Sequence, residues 1–214
     1  DKNDFPNAIV AFCDLTAGDF DAQLDAHSEA SNFRGVRQIV GRSAEEDART
    51  GTSALLSHPI FADGLRQLAE RNLSFDLQLT PPLMQEAAAQ FCAIPDTSIA
   101  LCHCGSLSDF SAEGLLFWRA GLKRMAEHEN ILCKISGFGM FDHGWMTESI
   151  SDHVLSVIDI FGPDRIAFGS NFPVDSLYAS YAKTMGAYLT ITESFSDDER
   201  NAMFHDNAAA FYRI

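Results

Sequence analysis

Six short apolar runs, each separated from the next by a segment of helical periodicity, constrain this chain more than any other feature. The runs are 9–15, 35–40, 73–79, 98–104, 131–136 and 166–169, and each has the length and apolar or alternating pattern of a strand. Between and after them lie helical patterns at 20–31, 59–71, 82–92, 115–128, 150–161 and 197–212. Pro59 stands in a first helical turn, with Leu65, Leu68 and Ala69 continuing an apolar stripe. Ser196-Asp197-Asp198-Glu199 has the cap-plus-acid signature of a helix start, and the acidic clusters there and at Glu45-Glu46-Asp47 read as solvated helix starts. Strands alternating with helices call for a parallel sheet with helices outside it, an α/β architecture. No linker, low-complexity tract or second domain interrupts it, so residues 1–214 read as one domain.

Two architectures satisfy that alternation, an open doubly wound sheet and a (β/α) barrel. A doubly wound fold usually places a Gly-rich phosphate loop after its first strand, and Cys13-Asp14-Leu15-Thr16-Ala17-Gly18-Asp19 is not one. Polar residues close several different strands instead, which is the barrel habit. The clearest are Ser98–Gly105, which carries His103, and Arg165–Pro173, where Gly169, Ser170 and Pro173 end the regularity around Asn171. Six strand–helix pairs are two short of a closed eight-stranded barrel. The chain begins without Met and enters its first strand within a few residues, so it reads as a fragment or a processed chain.

Charge excludes some partners. With a formal net charge of −15 and a pI near 4.6, the chain would be repelled by nucleic acid and by anionic membrane surfaces. A few focused arginines can still hold a small anionic substrate. A hydrophobic content of 46% with mean hydropathy of −0.05 is that of a globular domain. No apolar run approaches a membrane span, and no basic-then-apolar leader is visible. The five cysteines are an odd number and lie mostly in or beside strands, the usage of a reduced, cytoplasmic protein. Cys102-His103-Cys104 invites a metal reading, but on a strand His103 would point away from both thiols, so no zinc site is expected from that triplet.

Six segments together resemble the amidohydrolase-2 group: Phe33-Arg34-Gly35-Val36-Arg37-Gln38, Phe75-Asp76-Leu77-Gln78, His103-Cys104-Gly105, Cys133-Lys134-Ile135-Ser136-Gly137, Phe161-Gly162-Pro163-Asp164-Arg165 and Phe168-Gly169-Ser170-Asn171-Phe172-Pro173. The closing Asn207–Tyr212 resembles that group's final helix. The resemblance implies a (β/α)8 TIM barrel of which this chain carries strands three to eight. The absent first strand would hold a His-x-His pair. It also implies a hydrolase, most simply one that opens a lactone or similar cyclic ester of a small carboxylate or sugar acid. Alternatives on the same scaffold are a metal-dependent amidase or decarboxylase, and a degenerate barrel that only binds ligand.

The resemblance also assigns residues. His103 would act catalytically, by polarising the scissile carbonyl or, if a metal is held, as its ligand. Asn171 stands where relatives use an aspartate and would orient water; an amide is a poor ligand and has no basic site. Asp76 would supply a carboxylate base, with Asp175 a second candidate. Arg37, Gln78 and Lys134 would contact substrate, Arg37 and Lys134 through an anionic group. With Gln78 and Asn171 both neutral, a binuclear metal centre is not expected, and the room left is for one divalent ion such as zinc. A small-molecule substrate is implied, and self-association is left open.

Overall fold

A computed structural model describes residues 6–214 of the chain. Six strands, β1 (Ile9–Phe12), β2 (Phe33–Ile39), β3 (Ser74–Gln78), β4 (Ile99–Leu101), β5 (Ile131–Ile135) and β6 (Ile166–Phe168), form one sheet. All pair in parallel, each with the next in sequence, so the spatial order is β1-β2-β3-β4-β5-β6. The connections carry α1 (Phe20–Ser28), α2 (Ala44–Thr50), α3 (Phe61–Glu70), α4 (Met84–Phe91), α5 (Ala112–Ala126) and α6 (Thr147–Phe161). After β6 come α7 (Tyr181–Ile191), α8 (Asp197–Asn201) and α9 (Asn207–Tyr212).

Register explains why the strands are so apolar. Val36, Phe75, Ile99 and Ile131 stand in one row across β2–β5, all completely buried. Successive side chains alternate faces, so this row meets the helices while its neighbours turn the other way. The helices answer with matching stripes: Phe61, Gly64, Leu65 and Leu68 on α3, and Ile150, Val154, Val157, Ile158 and Phe161 on α6. Each such leucine or phenylalanine contributes about 1.5–3 kcal/mol by leaving water. On the opposite face the row is Arg37, Asp76, Ala100 and Leu132, with Lys134 beside Ala167. There Ala208 and Phe211 of α9 pack on Ala100, Leu132 and Ala167. The closing helix therefore covers the inner face of the sheet, and its last residue, Tyr212, reaches the polar row.

Both acidic clusters open helices as expected. The Ser43 hydroxyl accepts from Glu46 N at the start of α2, and Ser196 with Glu199 makes a reciprocal capping box at α8. Three features differ from expectation. β4 ends at Leu101 rather than Cys104, because the chain turns left-handed there. Helix α2 buries no residue, so it has no stripe to read, and α7 buries the mixed set Thr184, Ala187, Tyr188 and Ile191. The final helical segment runs without a gap but contains a wider π turn at Ala202–Asp206. Among the described residues no helix is long and apolar enough to cross a membrane.

Candidate active site

Parallel pairing sends all six C-terminal strand ends to one rim, and three polar groupings stand on or near it. The first is a relay. Arg37, from β2, donates from Nη2 to Gln78 Oε1 at the end of β3 (2.5 Å) and lies 2.9 Å from His103 Nε2. The other ring nitrogen, Nδ1, lies 2.9 Å from Ser136 Oγ just beyond β5. A guanidinium can only donate, so Nε2 is the accepting nitrogen and the imidazole proton sits on Nδ1, toward Ser136. Burial, followed by the positive charges of Arg37 and Lys134, pushes the His103 pKa down to about 3. His103 is thus a neutral imidazole at ordinary pH.

The backbone that presents it is unusual. His103 (φ 55°), Cys104 (φ 50°), Gly105 (φ 69°) and Ser106 (φ 57°) are four consecutive residues with positive φ. Three of these are not glycine, a conformation that stores roughly 1–3 kcal/mol per residue and persists only where surroundings enforce it. Here the indole Nε1 of the fully buried Trp118 donates to Cys104 O (2.7 Å), and Ser106 N donates to His103 O (2.8 Å). The expectation that His103 points away from Cys102 and Cys104 because all three lie on a strand is corrected by this turn. Gly137 closes over the ring: a Cβ there would lie 2.8 Å from His103 Nδ1 and 2.7 Å from Met140 Cε, at a φ of 77°. Gly137→Ala is therefore expected to destabilise the fold by about 1–2 kcal/mol through its left-handed backbone. It should also lower kcat/KM by on the order of 10²-fold, because a displacement near 1 Å at a reacting centre has that effect. Thermal melts beside steady-state kinetics check both.

The second grouping is a buried ion pair. Lys134 Nζ lies 2.7 Å from Asp76 Oδ2, and the Tyr212 hydroxyl, 2.8 and 3.0 Å from the two Asp76 oxygens, donates its one proton between them. Lys134 also reaches the Tyr212 oxygen (3.2 Å), and the Cys102 thiol approaches Asp76 at 3.8 Å. Burial works against a charged lysine, but Asp76 outweighs it and holds the Lys134 pKa above its ordinary value. Burial and the same carboxylate push the Cys102 thiol up to about 12. Asp76 and Lys134 thus find partners in each other and in the closing helix.

The third grouping lies after β6. Asn171, itself left-handed (φ 54°), donates from Nδ2 to Asp175 Oδ1 at 3.0 Å. Asp175 is only 3% exposed, and burial raises its pKa against the bonds from Asn171 and the Gly139 N–H. The Gly137–Gly139 segment joins this pair to the relay, since Gly137 packs on His103 and Gly139 on Asp175.

A cavity of about 590 Å³ opens beside β1 and β2, lined among others by Phe12, Asp14, Arg37, Arg42, Thr52 and Leu55. Arg37 meets only an amide oxygen and an imidazole nitrogen there, and the buried Arg42 Nε has no hydrogen-bond partner among the described residues. Of the residues picked out from sequence, Arg37, Gln78 and His103 come together. Asp76 and Lys134 join each other, and Asn171 joins Asp175. Ser136, Arg42 and Tyr212 are additions. Ser136 ends a recognised strand, whereas Tyr212 lies 136 residues from Asp76 and nothing local links them.

Among the described residues the donor set does not suit a divalent ion. The His103 lone pair faces a guanidinium, Gln78 and Asn171 offer amides, and no group of three or more His, Cys, Asp or Glu side chains converges among the described residues.

With this geometry in hand, known proteins were compared. The sequence profile described as Amidohydrolase matches residues 3–214. The uncharacterized protein y4mH of Sinorhizobium fredii is 41% identical over 218 residues, covering all of this chain and 72% of that protein. L-fucono-1,5-lactonase of Burkholderia ambifaria is 27% identical over 226 residues, again with full coverage of this chain and 72% of the relative. Among solved structures, an amidohydrolase from Burkholderia multivorans, crystallised with bound zinc, superposes with a TM-score of 0.88 at 26% identity. That match covers 100% of this chain and 75% of the other.

Proposed function

Because this chain belongs to the amidohydrolase-2 family, whose profile spans residues 3–214, we propose that it hydrolyses a lactone or similar cyclic ester of a small carboxylate or sugar acid. The observation that carries this reading is Arg37: a guanidinium held by neutral partners, Gln78 and His103, at the wall of a cavity, with donors to spare for an anion. The relative named L-fucono-1,5-lactonase supports the same class.

In this reading the lactone carbonyl lies against Arg37. Water attacks the carbonyl carbon, and negative charge grows on the carbonyl oxygen, where the preorganised guanidinium stabilises it. His103 has no spare N–H in this arrangement, so it positions Arg37 instead of polarising the carbonyl itself. Ser136 fixes the ring through Nδ1. Arg42, which lines the same cavity, takes the carboxylate or a hydroxyl of the substrate. Lys134, bound to Asp76 and Tyr212, neutralises the layer beneath and does not reach for substrate.

The test is a pH-stat assay of the full-length protein on sugar-acid lactones, with and without chelator. Turnover that survives chelation is expected, since the donors among the described residues do not suit a metal. Absence of turnover on every lactone, with hydrolysis of amides instead, would overturn the reading.

A further inference from the structure

We propose that Asp14 binds a ring hydroxyl of the substrate, so that the site selects a hydroxylated lactone over one that carries only hydrogen-bond acceptors; this rests on the lactonase reading above and narrows it. Strand pairing puts Asp14 in place. Phe12, at the end of β1, stands opposite Arg37 on β2, and Asp14 lies two residues further along. Gln38, which follows Arg37, ties that segment to β2: its Nε2 donates to Asp14 Oδ1 (3.0 Å) and its Oε1 accepts from Leu15 N (3.1 Å). Asp14 and Arg37 thus line the same cavity of about 590 Å³.

One oxygen of Asp14 is committed and the other is not. Oδ1 also accepts from Thr16 N (2.9 Å) and Thr16 Oγ1 (2.7 Å), so three donors converge on it and fix the orientation of the carboxylate. Oδ2 has no hydrogen-bond partner among the described residues. Burial opposes the charge, but the bonds from Thr16 and Gln38, with His58 nearby, outweigh it and hold the pKa below the usual aspartate range. Asp14 therefore presents an ionised acceptor with no proton of its own.

The remaining polar groups of the wall divide in polarity. The guanidinium groups of Arg37 and Arg42 can only donate. Thr50 and Thr52 commit their protons to Glu46 O and Asp47 Oδ1, so toward any ligand their oxygens act only as acceptors. Among the described lining residues Asp14 is the one carboxylate. A lactone carbonyl needs a donor and finds it in Arg37. A hydroxyl has a proton to place, and a carboxylate oxygen accepts it more strongly than a neutral one. A substrate carboxylate at the same point would set two anions together, so Asp14 also steers such a group to the arginine side.

The experiment measures kcat/KM of the full-length wild type and Asp14→Asn on aldono-1,5-lactones, each beside counterparts with one ring hydroxyl replaced by hydrogen. Asparagine keeps an oxygen for Thr16 and Gln38 and turns the free position from acceptor to donor, so the loop stays held while hydroxyl recognition is lost. In the wild type, deleting the hydroxyl that meets Asp14 should lower kcat/KM by roughly 10–10²-fold, the usual worth of a hydrogen bond to a charged group. In Asp14→Asn that ratio should collapse toward unity. A purely structural Asp14 would instead lower both lactones alike and leave the ratio in place, which overturns the proposal. So does a wild type that hydrolyses lactones with and without hydroxyls equally well, a readout that holds even if Asp14→Asn does not fold. If no lactone is hydrolysed, the lactonase reading fails on its own. Calorimetric titration with the aldonic acids and their deoxy counterparts then tests Asp14 without turnover: tighter binding of the hydroxylated acid, lost in Asp14→Asn, supports the proposal, and equal binding overturns it.

Discussion

Arg37→Ala is expected to lower kcat/KM for lactone hydrolysis by roughly 10²–10³-fold, the loss seen when one preorganised oxyanion donor is removed. The guanidinium bridges Gln78 on β3 and His103 after β4, so its loss also leaves an amide oxygen and an imidazole nitrogen facing each other without a donor. The unpaired acceptor on the buried His103 is worth about 1–3 kcal/mol, and the melting temperature should fall accordingly. Arg37→Lys should recover little. An ammonium is a compact charge on a flexible stem and cannot span Gln78 and His103 as a planar fork does. The same substitution has a second consequence. One of the two charges that depress His103 disappears in the alanine variant, so the His103 pKa should rise from about 3 while burial still holds it low. Kinetics and an imidazole titration on one variant thus test the chemical and the electrostatic role of Arg37 together.

Lys134→Ala is expected to give the largest stability loss, about 3–5 kcal/mol, because it strands a charge inside the fold. Asp76 has a side chain only 2% exposed and no other cation within ion-pair reach among the described residues. Tyr212 can donate one hydrogen bond but cannot neutralise the carboxylate. Tyr212→Phe should therefore be milder, near 1 kcal/mol for one lost hydrogen bond. Replacing the whole cluster with apolar residues, Asp76→Leu with Lys134→Met and Tyr212→Phe, should recover most of the loss, since buried ion pairs often match hydrophobic replacements in stability. Denaturant melts of the three variants decide this. A Lys134→Ala protein as stable as the wild type would show that Asp76 is not held by the pair. The cluster ties α9 to β3 and β5, so the same experiment asks whether the closing helix is fastened to the inner face by charge or by Ala208 and Phe211 alone.

The fold was legible because the strands keep two different faces. Val36, Phe75, Ile99 and Ile131 recur as apolar runs, and the parallel order follows from the helical segments between them. The end of β4 was not legible. Cys102-His103-Cys104 continues an alternating pattern that suits a strand, and the left-handed turn is enforced from afar, by Trp118 donating to Cys104 O. Only Gly105 marks it locally. Of helix α2 only the start was legible, from its acidic first turn; its extent was not, because a helix that buries nothing leaves no periodic signal.

The site divides in the same way. Arg37, Gln78 and His103 could be found because each closes a different strand of one parallel sheet, and such ends meet at one rim. How they are spent could not. Lys134, expected from sequence to meet an anionic substrate group, lies 2.7 Å from Asp76 in the structure. That Tyr212 completes the pair depends on how α9 folds back across the sheet. The proton on His103 depends on a donor-only neighbour on another strand, which no local pattern encodes.

The most direct test of the account is nitrogen-15 NMR of the His103 imidazole across pH 4 to 8 in the full-length protein. The account predicts a neutral ring throughout that range, with the proton on Nδ1 toward Ser136 and Nε2 unprotonated toward Arg37. A ring that titrates near the ordinary value, about 6.5, or that carries its proton on Nε2, would contradict the relay and with it the role assigned to Arg37.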